Sequence, residues 1–200
     1  MVPERLHLRL DPLLRFHRYR DLTTVAGPIR AAAEAMRALA ETLATPRAVL
    51  VRRRVRHLTD DALALEAGPT FHGRCFAEHV SGACEVACFV ATIGPALEEQ
   101  ARAFQEEGEL LEALFLDTAG WLAVQETVRA LRGHLAAAAR TEGRTLSPRL
   151  GPGYLDWPLE EQGALFSVFG GHPVPVDLTR ESVMIPQKSL SGLFGMVPRR

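Results

Sequence analysis

Apolar positions along this chain recur in two periods, and the switch between them predicts the elements. Ile29, Ala32, Ala33, Met36, Leu39, Ala40 and Leu43 fall at helical spacing. Pro28 in the first turn and Pro46 beyond the last bound a helix over about 28–44. Gly94-Pro95 opens a second helix, to about Glu106. The longest pattern runs from Glu109 to Arg140, with a stripe of Leu110, Leu114, Trp121, Val124, Val128, Leu131 and Leu135. Asp117 falls on that stripe and needs a partner there, either an arginine or a group at a functional site. Gly120 and Gly133 predict close approach of another element.

Strand signals lie between these helices. Val49, Val51 and Val55 mark a strand over Arg47–His57, Thr59-Asp60-Asp61 a turn, and Ala62–Glu66 its partner. Glu85–Ile93 is the clearest strand. Residues 3–24 show no clear period and predict an early strand or arm, while Thr70–Ser81 reads as a loop with Phe76 turned inward. Pro158 opens a helix through Phe169, Gly170-Gly171 ends it, and Asp177–Ile185 returns as extended chain. Helices alternating irregularly with short strands give an α+β class: a single domain with an antiparallel or mixed twisted sheet flanked by helices. Its N-terminal part is residues 1–147 and its motif part residues 148–200.

Composition narrows the function classes. Hydrophobic residues make up 47% of the 200 and charged residues 24%, with a formal net charge of −1. That balance supplies no global field for nucleic acid or anionic membrane. The basic run Arg52-Arg53-Arg54-Val55-Arg56-His57 reads as a solvated strand face, because its valines are strand formers and no aromatic residues interleave it. No apolar run approaches the roughly 18–20 residues a membrane-spanning helix needs, and the N-terminus lacks a secretion-signal core, so the expected location is cytoplasmic. Three cysteines are too few for a disulfide framework. Cys84 and Cys88, four apart in a strand pattern, would put both sulfurs on one face. With His72 or His79 they could approach a metal, but the short Cys-x-x-Cys turns of structural zinc sites are absent.

The chemistry concentrates at the C-terminal end. Pro148-Arg149-Leu150-Gly151-Pro152-Gly153-Tyr154-Leu155-Asp156-Trp157-Pro158 holds too many prolines and glycines for regular structure. Such a stiff loop presents Arg149, a planar permanent cation suited to carboxylate or phosphate, beside the Tyr154 ring. Gly151 and Gly153 leave bare backbone for a ligand. The bare motif suits a small anionic or zwitterionic ligand. It equally suits a surface turn in which Arg149 pairs with Asp156.

Arg149-x-x-x-Gly153-Tyr154, followed by Asp156-Trp157-Pro158 and a helix containing Gln162, resembles the S-adenosyl-L-methionine (AdoMet) signature of the activation domain of cobalamin-dependent methionine synthase. Glu181-Ser182 and Met184-x-Pro186-x-Lys188-Ser189-Leu190-Ser191-Gly192 resemble that family's second signature, a strand beside the first loop. The resemblance covers about residues 148–198 and points to free-standing relatives of the domain. The large synthases carry a tyrosine just after the Ser-x-Ser-Gly motif, where this chain has Leu193-Phe194.

The resemblance implies reductive reactivation of a cobalamin-dependent methyltransferase: an electron donor reduces oxidised cobalamin, and methyl transfer from AdoMet traps it. Arg149 would clamp the methionyl carboxylate, Gly151 and Gly153 would give their backbone to the ligand, and Tyr154 would orient it. Ser191, Phe194 and Gly195 would line the opposite wall. The cobalamin would be carried by a partner, a methyltransferase subunit or domain, and the donor would be flavodoxin-like. The alternative is a non-catalytic adaptor or structural subunit that docks on a corrinoid protein without AdoMet. An unrelated small-molecule binder with the same rigid loop is a third reading.

Overall fold

Six strands form one antiparallel sheet in a computed structural model that describes residues 5–199. The chain begins with two helices, α1 (Leu10–Phe16) and α2 (Gly27–Leu43). Strand β1 (Arg47–Leu58) pairs with β2 (Ala62–Leu65), which pairs with β3 (Thr70–His72). A short helix α3 (Cys75–His79) leads to β4 (Glu85–Thr92). Two helices follow, α4 (Ala96–Glu107) and the long α5 (Leu110–Thr141), then β5 (Arg144–Leu150). A 3-10 turn at Leu159–Glu161 runs into α6 (Gln162–Ser167). The hairpin β6 (Asp177–Leu178) and β7 (Met184–Ile185) precedes β8 (Ser189–Pro198). The sheet order is β3-β2-β1-β4-β8-β5, so the last strand of the chain sits inside the sheet between β4 and β5.

Alternation along β4 builds both layers. Val86, Cys88 and Val90 face one core with Phe71, Phe76, Trp157 and Leu193. Ala87, Phe89 and Ala91 face the other, against Val128, Leu131 and Leu135 of α5 and Phe194 of β8. A third cluster joins α1, α2 and α4 to the first half of α5. Gly120 admits Leu97 of α4, since a β-carbon there would stand 2.5 Å from Leu97 Cδ2.

Several expectations need correction. Residues 10–16 are a helix, not a strand or arm, and the first residues of the 3–24 stretch lie outside the described residues. Thr70–Ser81 contains β3 and α3; both are too short to show a period. The 158–169 helix is a 3-10 turn plus six residues, and the 177–185 segment is a two-stranded hairpin. Pro148 and Arg149 belong to β5, at the point where the β5–β8 register shifts; the irregularity is what accommodates the proline. Leu110, Leu114 and Trp121 are exposed, whereas Val124, Val128, Leu131 and Leu135 are buried. Nothing approaches Gly133. Cys84 lies exposed before β4 while Cys88 is buried within it.

The first half of the basic run is absorbed structurally, whereas Arg54, Arg56 and His57 stay exposed. Arg52 bridges Glu85 and Glu142 at 2.6 Å each, and Arg53 donates to the Val168 carbonyl at 2.5 Å. Arg144 adds a further pair with Glu85. No helix among the described residues is long and apolar enough to cross a membrane.

Candidate functional site

The loop after β5 is fixed from both ends. Gly153 N–H donates to the Trp157 carbonyl at 2.9 Å and Tyr154 N–H to that of Gly151 at 3.1 Å. Trp157 is buried between Phe71 and Phe76, with ring centroids 5.0 and 4.9 Å away. Its indole N–H donates to Glu161 at 3.0 Å, and Glu161 also accepts from the His72 backbone N–H at 2.9 Å. Asp156 accepts from the backbone of Arg74 at 2.7 Å and of Cys75 at 3.0 Å. Hydrogen bonds to the Cys75 and Arg74 amides hold the Asp156 carboxyl down at about 2. Asp156 therefore anchors the loop to α3 rather than pairing with Arg149.

That leaves Arg149 without an acid. No ion pair involves it among the described residues, and its Nη1 is buried with no hydrogen-bond partner. The guanidinium carbon stands 5.7 Å from the centroid of the Tyr154 ring, a cation–π distance. An unpaired buried donor is costly unless a ligand meets it, which marks Arg149 as a place where an acceptor fits.

Tyr154 connects this cation to a hollow of about 420 Å³, lined by Pro152, Tyr154, Leu159, Gln162, Met184 and Leu190 among others. Its size is within the range of small-ligand sites, about 300–1,000 Å³. Tyr154 is 58% exposed, so its ring is available from outside. Gln162 closes the floor: its Nε2 donates to the Ser182 carbonyl at 3.1 Å and its Oε1 accepts the Ser191 hydroxyl at 3.2 Å. Lys188 Nζ meets Asp117 at 2.6 Å, so the carboxylate on the α5 stripe is paired with a lysine of the second motif, not an arginine.

The anticipated site residues thus divide. Arg149 and Tyr154 come together, and Gly153 supports them at φ 82°, a left-handed turn that suits glycine. Gly151 packs against β8, where a β-carbon would stand 2.9 Å from the Ser191 carbonyl oxygen. Ser191 borders the floor, but its hydroxyl is committed to Gln162. Phe194 and Gly195 lie away from the hollow. Phe194 is fully buried and stacked on Phe89 with centroids 5.2 Å apart. Gly195 makes room for Val80 and donates its N–H to Ser147 Oγ at 2.8 Å. Leu159, Val183 and Gln187 also line the hollow; single apolar or amide residues in loops give no sequence signal of such a role.

Other chemistry is weakly provided. Burial pushes the Cys75 and Cys88 thiols up to about 12, with Asp156 adding to the effect at Cys75, so both are held neutral. Among the described residues no group of three or more His, Cys, Asp or Glu side chains is arranged to hold a metal. A larger hollow of about 520 Å³, lined by Arg54, Arg56, Glu85 and Arg144, opens where β4 begins, the opposite end of the sheet from Ser189. Its Arg144 and Glu85 neutralise each other.

No protein-family model matches the chain, and no curated protein matches it. Among solved structures it is similar to the MetH reactivation domain bound to AdoHcy, with a TM-score of 0.61 at 13% identity. The superposition covers 100% of this chain and 81% of that one. The chain has the fold of that reactivation domain.

Proposed function

We propose that this chain binds AdoMet and serves as a reactivation protein or subunit for a cobalamin-dependent methyltransferase of the methionine synthase type. The observation that carries the reading is Arg149, a cation with a buried, unpartnered Nη1 held over the Tyr154 ring. Its planar fork matches a carboxylate in two-point contact. The shared fold with a domain that holds AdoHcy, the demethylated form of AdoMet, supports the same ligand class.

In this role Arg149 receives the methionyl carboxylate and Tyr154 packs along the ligand. Gln162 keeps β8 and the Ser182 segment at the spacing that defines the hollow. Bound AdoMet would supply the methyl group and leave as AdoHcy, and a partner's cobalamin, reduced by one electron from a flavodoxin-like donor, would be its acceptor. The protein's contribution is position, because the cofactors carry the reactivity.

The test is a reactivation assay with a cobalamin-carrying methyltransferase in its oxidised, inactive form, a low-potential electron donor and AdoMet. Recovery of methyltransferase turnover that needs both this chain and AdoMet is the expected result. A second reading, an adaptor that docks without AdoMet, is favoured by the placement of Phe194 and Gly195 in the core, which leaves the ligand fewer contacts. Recovery that needs the chain but is indifferent to AdoMet would support it.

A further inference from the structure

Four large apolar side chains lie uncovered together on one side of the molecule. Phe16, Leu110, Leu114 and Trp121 are 56%, 67%, 52% and 42% exposed. Leu110, Leu114 and Trp121 share one face of α5 and span about 16 Å along it. Phe16 extends the row through Trp121, with ring centroids 5.5 Å apart. The helix itself is firmly seated, since Phe115, Leu116, Ala119 and Ala123 on its other side are buried. A row of exposed large apolar side chains of this kind, broken only by the paired Asp117, marks an interaction surface.

Two further features say what covers it. The row is charged oppositely at its ends. Glu106, Glu107, Glu109 and Glu112 gather where α4 meets α5, next to Leu110. Arg15, Arg18 and Arg20 flank Phe16 at the other end. None of these seven forms an ion pair among the described residues. Arg102 and Asp21 offset one charge at each end without reversing either sign. The second feature is a hollow of about 410 Å³ at the acidic end, lined by Gln105, Leu110, Ala113, Leu114 and Asp117. Asp117, mid-row, is already neutralised by Lys188 at 2.6 Å.

We propose that this face is where a second copy of the chain docks, around a two-fold axis passing between Leu114 and Asp117. A two-fold reverses the row, so the glutamates of each copy meet the arginines of the other. The same operation brings Trp121 and Phe16 of each copy toward the other's hollow. Such a self-complementary patch is what an isologous dimer requires. A stable interface takes roughly 800 Å² from each partner, so the adjoining ends of α1 and α4 join the row in the contact. A partner of single charge sign would leave one end of the row unmatched.

Sedimentation velocity on the full chain, from low to high micromolar concentration, tests this. The expected result is a concentration-dependent monomer–dimer equilibrium that Leu114→Glu abolishes. Glu109→Arg and Arg18→Glu should each weaken it about tenfold, and the two together in one chain should restore it. All three positions are exposed, so thermal melting of each variant should match the parent and exclude misfolding. A parent chain that stays monomeric overturns the proposal, whether or not another protein binds the face. A dimer indifferent to Leu114→Glu, or charge reversals that do not compensate, overturns it equally.

Discussion

Gly192 of β8 sits so close to Leu150 of β5 that a β-carbon there would stand 2.1 Å from the Leu150 carbonyl oxygen, and φ there is 153°. The contact sets the end of β5 against β8 immediately before the chain turns into the loop that starts at Gly151 and carries Tyr154. A β-carbon at this position meets backbone on both counts, steric and conformational. Gly192→Ala should therefore cost about 2–4 kcal/mol of stability. Gly133→Ala is the control: it lies in α5 with nothing within 4 Å, and should gain about 0.5–1 kcal/mol from helix propensity. Urea unfolding of the two variants checks both signs.

Asp156 ties the loop to α3, and its depressed carboxyl makes that tie pH-dependent. The folded value of about 2 lies below the ordinary 3.8. A depressed carboxylate adds stability above its unfolded pKa and loses it as pH falls through the folded one. The contribution should be complete at neutral pH and fade between about 4 and 2. Asp156→Asn should lower the melting temperature at neutral pH, and the gap to the parent should close across that acid window. A gap that stays constant down to pH 2 would contradict the assignment.

Gln162 is buried and bonded at both ends of its amide. Gln162→Leu keeps the volume but leaves the Ser191 hydroxyl and the Ser182 carbonyl without this partner, a loss of about 1–3 kcal/mol. Because Gln162 and Ser182 line the hollow, ligand affinity should fall with stability, whereas Gly133→Ala should leave affinity unchanged. Melting and ligand titration on the same samples separate the two effects.

How much of this was legible in the sequence depends on length and covering. Helices α2 and α5 and strand β4 could be read closely because long periodic runs with Pro or Gly punctuation specify themselves. Helices α1 and α3, of seven and five residues, are held by tertiary packing and carry no period. The α5 stripe shows a second limit. Periodicity identifies residues that share a face but not whether anything covers it, and Leu110 and Leu114 stay in solvent while Leu131 and Leu135 do not. At the site, the Arg149 and Tyr154 pairing follows from a stiff loop. Phe194 stands opposite Arg149 in the β5–β8 register, on the same face of the sheet, but its ring is taken up by the α5 core, stacked on Phe89, and does not reach the hollow. Sequence spacing alone cannot say whether a ring on the same face as Arg149 meets a ligand or the core.

The central claim is that Arg149 is held without an acid partner so that a ligand carboxylate can take that place. Isothermal titration of the parent chain and Arg149→Ala with AdoMet and AdoHcy tests it most directly. The account predicts binding of both ligands by the parent and a loss of about 1.5–3 kcal/mol in the variant, with no matching loss of melting temperature. Absence of heat with the parent, or equal affinity in the variant, would contradict it.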